Sequence, residues 1–427
     1  MSKTNQPNLA ALRAEEPSLK SRYAAFQAAG LALDMTRGKP CAQQLDLSLD
    51  MLTVLTRDDY KAADGTDCRN YGGLDGLPEA KALFAEFLGV QKDEVIIGGN
   101  SSLALMHDTL ARAMSHGVPG GAASWTSQAA AQGGKVKFIC PAPGYDRHFA
   151  LCEHFGIEMI TVDLGESGLD IDAVERLVAS DELIKGLWLV PKYGNPSGLI
   201  VSNEVIARLA RMKCAAPDFR VYWDDAYTVH HLTDARPDQL NLQSACKAAG
   251  TDDRVLLFGS TSKISFSGSG IAVVGGSAAN MAWYRGHLGF QTIGPDKLNQ
   301  LRHLRFFKDM AGIEAHMKKH AAVIKPKFDA VASALKSQLE GVASWTTPTG
   351  GYFVSVDTPD GCAKRTVQLA KAAGVSLTGA GATFPYGKDP RDRNIRVAPT
   401  LPSLADIEKA MDVFCVCVKL AALEKSQ

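Results

Sequence analysis

Val255-Leu256-Leu257-Phe258-Gly259-Ser260-Thr261-Ser262-Lys263 is the stretch on which the reading of this chain turns. The apolar run Val255 to Gly259 reads as a buried strand, and it delivers an amine into a cluster of small and hydroxyl residues. Desolvation there disfavours the ammonium and makes the nitrogen nucleophilic, which is the setting of a Schiff-base lysine. An ordinary lysine in the loop after a strand presents the same S-x-S-K, so the residues around it must decide.

Working outward, Tyr193-Gly194-Asn195-Pro196-Ser197-Gly198 follows the apolar run Leu187 to Val190 and puts an amide on a turn at a strand end. The stretch Val221-Tyr222-Trp223-Asp224-Asp225-Ala226-Tyr227 ends another strand on a carboxylate, with a phenol three residues beyond. Further apolar runs at Val95–Ile97, Val136–Cys140, Glu158–Val162 and Ile271–Val274 alternate with amphipathic helical stretches. The pattern predicts a mostly parallel, doubly wound α/β sheet. In such a sheet chemistry gathers at the C-terminal strand ends, where Asn195, Asp224 and Lys263 all fall. Gly98-Gly99-Asn100-Ser101-Ser102 follows the first strand and opens the helical stretch Leu103–Met114. Ser101 and Ser102 either cup a phosphate on the helix N-terminus or simply cap it. No G-x-G-x-x-G occupies this turn, which argues against a dinucleotide site.

The 427 residues allow one large α/β domain and a smaller one. We expect residues 51–325 to form the large, cofactor-binding domain, and 1–50 with 326–427 the small one. Apolar residues make up 46% and charged residues 22%, and 46 basic residues balance 46 acidic ones. That balance argues against a nucleic-acid partner, which selects a concentrated basic face. The nine cysteines, Cys41, Cys68, Cys140, Cys152, Cys214, Cys246, Cys362, Cys415 and Cys417, are scattered and never spaced C-x-x-C. They read as buried small hydrophobes of a reducing compartment, with neither disulfides nor a metal site. The N-terminal Met1-Ser2-Lys3-Thr4-Asn5-Gln6-Pro7 is polar, and no run approaches the roughly 18 apolar residues a bilayer requires. The expected location is cytoplasmic, with no membrane partner. Between Ser115 and Lys135, Gly, Ala and Ser dominate, which predicts a long mobile loop, either a lid or a plain surface excursion. A helical pattern from Gly312 to Leu339 carries Pro326 inside it and predicts a kinked helix.

Far downstream, Arg393-Asn394-Ile395-Arg396-Val397 sets an arginine inside a short strand. In this order, amide, carboxylate, phenol, lysine and arginine resemble the class I/II aminotransferases of pyridoxal-phosphate fold type I, from about Met35 to the last helix. The resemblance implies pyridoxal 5'-phosphate on Lys263, which then moves the proton at the substrate Cα. It implies Asp224 beside the pyridine nitrogen, although Asp225 is one register away, and Tyr227 and Asn195 on the phenolic oxygen. Tyr145 in Pro143-Gly144-Tyr145 matches the aromatic over the ring, and His148 a histidine behind the aspartate; a surface histidine would read the same. Ser101, Ser102, Ser260 and Ser262 would take the phosphate. Arg396 would grip the substrate α-carboxylate with two parallel N–H bonds. Gly38 would close over the substrate and contribute with Asn195 and Arg396 to its binding. Tyr71 would reach the phosphate of a neighbouring subunit, so a homodimer with shared sites is expected.

One departure stands out. The family places an arginine seven or eight residues after the lysine, where this chain has Ser267-Gly268-Ser269-Gly270-Ile271. Ser267, and Lys297 from a partner chain, are expected to compensate. With T-R-G-K-P at 36–40 and P-G-Y-D-R-H-F at 143–149, the chain is most similar to a divergent bacterial aspartate aminotransferase subgroup. That likeness implies aspartate and 2-oxoglutarate as substrates. The side-chain carboxylate then needs a second cation, for which Arg37, Lys39, Arg147, Arg285 and Arg302 are candidates. An aminotransferase or lyase for another amino acid would share every cofactor residue. A transcription regulator with an aminotransferase-like sensor would carry a winged-helix domain of some 60 residues first, whereas G-K-P comes here at residue 38.

Overall fold

A computed structural model describes residues 9–426; the polar stretch Met1 to Pro7 lies outside the described residues. Thirteen strands are present among them: β1 Leu33–Met35, β2 Val95–Ile97, β3 Lys137–Ala142, β4 Glu158–Gly165, β5 Gly168–Leu169, β6 Ile184–Leu189, β7 Arg220–Asp224, β8 Val255–Ser260, β9 Ala272–Gly276, β10 Ser344–Trp345, β11 Val354–Asp357, β12 Val375–Leu377 and β13 Asn394–Val397. Eight form the central sheet in the order β2-β9-β8-β7-β6-β3-β4-β5. The pairs β8–β7, β7–β6, β6–β3 and β3–β4 are parallel. Every apolar run read as a strand is one. The sheet is mostly parallel, as read; within it the last of these runs, Ile271–Val274, is an exception, since β9 pairs antiparallel with both β8 and β2. The connection 261–271 is too short for a crossover helix, so the chain must turn straight back.

Alternate residues of the central strands feed two cores. Ile97, Ile139, Leu187, Val221, Trp223, Val255 and Leu257 pack on one face. Ile96, Phe138, Cys140, Trp188, Tyr222, Leu256 and Phe258 pack on the other. Burial on both faces follows from the period of two and explains why the runs are continuously apolar. Gly186 in β6 is required by this packing, since a Cβ there would sit 2.2 Å from the Phe138 ring. A third core gathers β11, β12, β13, the helix Leu404–Lys425 and the second half of the helix Met310–Leu339. That long helix carries Pro326 inside it, as the sequence pattern indicates.

The segment 115–135 is not the free loop expected. Ser124 caps a helix at Trp125–Ala131, its Oγ accepting from Ser127 N. Trp125 is fully buried, and its indole donates to Asp218 Oδ2 at 3.0 Å. Gln128 donates to the same oxygen, and Lys185 Nζ donates to Oδ1 at 2.6 Å. A buried carboxylate with three donors therefore pins this segment against the sheet. Among the described residues all nine cysteines are free, and no helix is long and apolar enough to cross a membrane.

Candidate active site

The C-terminal ends of β2, β3, β6, β7 and β8 lie on one edge of the sheet, and the residues that follow them converge. Ser101, Ser102, Tyr145, Asn195, Asp224, Tyr227, Ser260, Ser262 and Lys263 all line one cavity of about 190 Å³. The cavity straddles β3 and β6, where the strand order reverses direction, the usual place for a ligand in an open α/β sheet.

Lys263 follows β8 across the Ser-Thr-Ser turn. Its Nζ sits 4.8 Å from the Tyr227 ring centroid, and part of the side chain stays open to the cavity. Burial pushes the ammonium pKa down, partly opposed by the charge of Asp224. The amine is thus biased towards its nucleophilic form. Sequence reasoning missed what holds it: His230 Nε2 donates to Lys263 O at 3.3 Å, and Tyr352 OH donates to the same oxygen at 3.4 Å. Burial and the Lys263 charge push the His230 pKa well down, which keeps the ring neutral. The pair His230-His231, just after the aspartate–tyrosine motif, was the available signal.

Asp224 ends β7 and is 2% exposed. His148 Nε2 donates to its Oδ2 at 3.1 Å, and the histidine ring stacks on Trp188 at 4.3 Å between centroids. His148 is buried, so the surface alternative is excluded and its contact with the aspartate is direct. The other oxygen, Oδ1, is buried and has no partner among the described residues. Asp225 differs. Its Oδ1 accepts from Thr228 Oγ1 at 2.7 Å, and burial pushes its pKa up to about 6. Burial also raises both phenols, Tyr145 to about 12 and Tyr227 further, so each keeps its proton to donate.

Ser101 precedes the helix Ser102–His116 with extended backbone angles and makes no side-chain cap bond. Its hydroxyl and the first N–H groups of the helix are therefore left for another acceptor. Ser262 Oγ donates to Asn100 O at 3.0 Å and ties the lysine turn to this one. Ser267 does not reach the cavity; its Oγ donates to Ser262 O. Lys297 likewise departs from expectation. It is buried, and its Nζ donates to Gly72 O of the same chain at 2.6 Å, so it braces the Tyr71 turn rather than offering a free cation. Tyr71 itself is 81% exposed and apart from the cavity.

Arg396, on β13, reaches the cavity wall through Asn195, whose Oδ1 accepts from Arg396 Nη1 at 3.2 Å. Its guanidinium lies 5.0 Å from the Phe353 ring centroid. Gly38 packs on the same ring, where a Cβ would come within 2.4 Å, so only glycine permits the approach. Arg391 and Arg393 pair with Asp360 and Asp357, as loop charges do. Of the proposed side-chain cations, Arg285 is paired with Asp75, and Arg302 is bonded to Ser269 and Asn299.

Comparison with known proteins gives the family of the chain. The family model described as aspartate amino-transferase matches residues 5–427. A Mycolicibacterium smegmatis protein whose name places it among aminotransferases is 50% identical over 417 residues, 97% of this chain and 96% of its own. The aspartate aminotransferase of Corynebacterium glutamicum is 46% identical over 408 residues, covering 95% and 93%. A crystal structure of an aspartate transaminase from that organism superposes with a TM-score of 0.94 at 44% identity, over 98% of each chain. At 21% identity, an alpha-aminoadipate aminotransferase of Thermus thermophilus, solved with N-(5'-phosphopyridoxyl)-L-leucine, shares the fold with a TM-score of 0.74 over 93% of this chain and 95% of its own. The fold is that of the fold type I aminotransferases, and the chain belongs to the aspartate amino-transferase family as a transaminase.

Proposed function

We propose that this transaminase moves the amino group of L-aspartate to 2-oxoglutarate, with pyridoxal 5'-phosphate held at Lys263. The observation that carries the cofactor is Asp224 Oδ1, a buried carboxylate oxygen without a donor, on the wall of the cavity that Lys263 enters. Such an oxygen is costly unless an N–H meets it, and a protonated ring nitrogen is the donor that fits. The uncapped Ser101 turn at the opposite wall suits a phosphate.

When bound, the cofactor supplies an electron sink for negative charge developing at the substrate Cα. The chain does the rest. Lys263 Nζ would hold the cofactor's carbonyl carbon, be freed when the substrate amine replaces it there, and then carry the proton from the substrate Cα to that carbon. Asp224, oriented by His148, keeps the ring nitrogen protonated. Tyr227 OH and Asn195 Nδ2 donate to the phenolic oxygen, since Asn195 Oδ1 is already engaged by Arg396. Tyr145 covers the ring, and Ser101, Ser102, Ser260 and Ser262 hold the phosphate. Arg396 binds the α-carboxylate with Gly38 beside it.

The aspartate assignment is supported by the name of the Corynebacterium glutamicum relative. With Arg285 and Arg302 committed elsewhere, Arg37, Lys39 and Arg147 remain for the side-chain carboxylate, and Arg37 and Lys39 flank Gly38. Steady-state rates with 2-oxoglutarate and a panel of amino donors test this reading. Aspartate should exceed aromatic and aliphatic donors at least about tenfold in kcat/KM, because they lack a second carboxylate, and aminoadipate likewise, because its side-chain carboxylate stands two methylenes farther out. A tenfold preference for another donor would overturn it.

We also propose a homodimer with shared sites. Tyr71, Phe290 at 93% exposure and Ile293 at 64% are large apolar side chains left in water, and the Lys297–Gly72 bond ties the Tyr71 turn to the helix Lys297–Phe307. Tyr71→Phe should weaken cofactor binding. Hybrids of Tyr71→Phe and Lys263→Ala chains should regain one working site of two. A monomer that sediments alone with full activity, or hybrids without recovery, contradicts the arrangement.

A further inference from the structure

The Arg396 guanidinium is not free. Asp146 Oδ1 accepts from its Nη1 at 2.9 Å, and Asn195 Oδ1 accepts from the same nitrogen at 3.2 Å. Nη2 makes one long contact, 3.4 Å to Thr378 Oγ1, and Nε is buried with no partner among the described residues. The bonds are therefore distributed unevenly round the planar fork: one end is anchored twice, while the side edge formed by Nε and Nη2 is left open. That edge is the one a carboxylate takes with two parallel N–H bonds.

Asp146 is well built for this anchoring. It is the first residue of the helix Asp146–His154, where the positive end of the helix dipole favours a carboxylate. The same helix carries His148, which holds Asp224, and follows Tyr145 on the cavity wall. Ring-side and carboxylate-side groups are thus fixed by one rigid element. The arginine side chain is 6% exposed and Asp146 34%, so the pair, joined to the cavity wall through Asn195, is screened only in part.

We propose that Asp146 is a positioning residue for substrate binding: it clamps Arg396 Nη1 and so presents the Nε–Nη2 edge to the incoming α-carboxylate. The clamp is gained against a cost, because the Asp146 charge also weakens the attraction of Arg396 for a second carboxylate. A side chain that accepts the same bond without the charge therefore separates the two effects. The inference rests on the reading of Arg396 as the α-carboxylate site.

The experiment measures kcat and KM for both the amino donor and the 2-oxo acid in the holoenzyme of four proteins: wild type, Arg396→Ala, Asp146→Ala and Asp146→Asn. Asp146→Ala should raise both KM values about tenfold with kcat within threefold of wild type, since the guanidinium loses its orientation while the ring-side groups stay in place. Asp146→Asn keeps an acceptor and removes the opposing charge, so its KM values should be at or below wild type. Arg396→Ala should raise both KM values by 100-fold or more. If it does not, the reading of Arg396 fails, whatever Asp146 does. If Arg396→Ala behaves as stated but Asp146→Ala leaves KM unchanged or lowers it, the positioning role is wrong. Asp146→Asn matching Asp146→Ala would contradict it equally, because the retained acceptor would then have restored nothing.

Discussion

Replacing Lys263 with Ala should abolish transamination, by about 10⁴-fold or more, while leaving the fold intact. In the proposed reading the side chain combines two tasks: nucleophile towards the carbonyl end of the cofactor and proton carrier at Cα. Loss of a positioned acid–base group alone is worth about 10²–10⁴ in rate. The structural cost is small because the turn is held through the main chain. His230 and Tyr352 donate to Lys263 O, which an alanine keeps, and the side chain itself lies against the Tyr227 ring. Burial already disfavours the ammonium, so its removal relieves a penalty and the Tm should be unchanged or raised. Absorbance changes on adding amino donor alone, read beside a thermal melt, check both halves. A Lys263→Ala protein that still completes both half-reactions at the wild-type rate would sink the assignment.

Asp224→Ala should lower kcat by about 10³-fold or more, roughly 4 kcal/mol at 1.4 kcal/mol per tenfold, while Asp225→Ala keeps most activity. The two carboxylates are adjacent in sequence and opposite in circumstance. Asp224 offers a bare Oδ1 to the cavity and is aimed by His148 from behind. Asp225 is spent on Thr228 and does not line the cavity. The stabilisation Asp224 gives grows as negative charge spreads into the ring, so the loss should fall on kcat more than on KM. Steady-state kinetics of the two variants decide; the reverse ranking would place the pyridine-side carboxylate one residue on.

The features legible in the sequence are those carried by local periodicity. Strands buried on both faces are continuously apolar, so β2, β3, β6, β7 and β8 could be read as runs, and a parallel sheet then forces their C-terminal residues onto one edge. This is why Asn195, Asp224 and Lys263 could be set on one edge from the sequence, with Ser101 at a helix opening, whereas Tyr145 rested on the family resemblance. Features set by long-range approach were not legible. The helix at Trp125–Ala131 hides in a Gly- and Ala-rich stretch because its stability comes from Asp218, far along the chain, rather than from its own propensity. Asp146 reads as an acidic residue opening a helix, and nothing local reveals Arg396, 250 positions away. Lys297 looked like a spare cation because a sequence does not show which carbonyl its ammonium meets.

The central claim, that Lys263 is the residue carrying pyridoxal phosphate, is tested most directly on the unaltered protein. Borohydride reduction of the holoenzyme, followed by proteolysis and peptide mass mapping, should find a phosphopyridoxyl group on the peptide bearing Lys263 and on no other. The label should disappear when an amino donor is added before reduction. A stable label on a different lysine, or none in a protein that transaminates, would contradict the account.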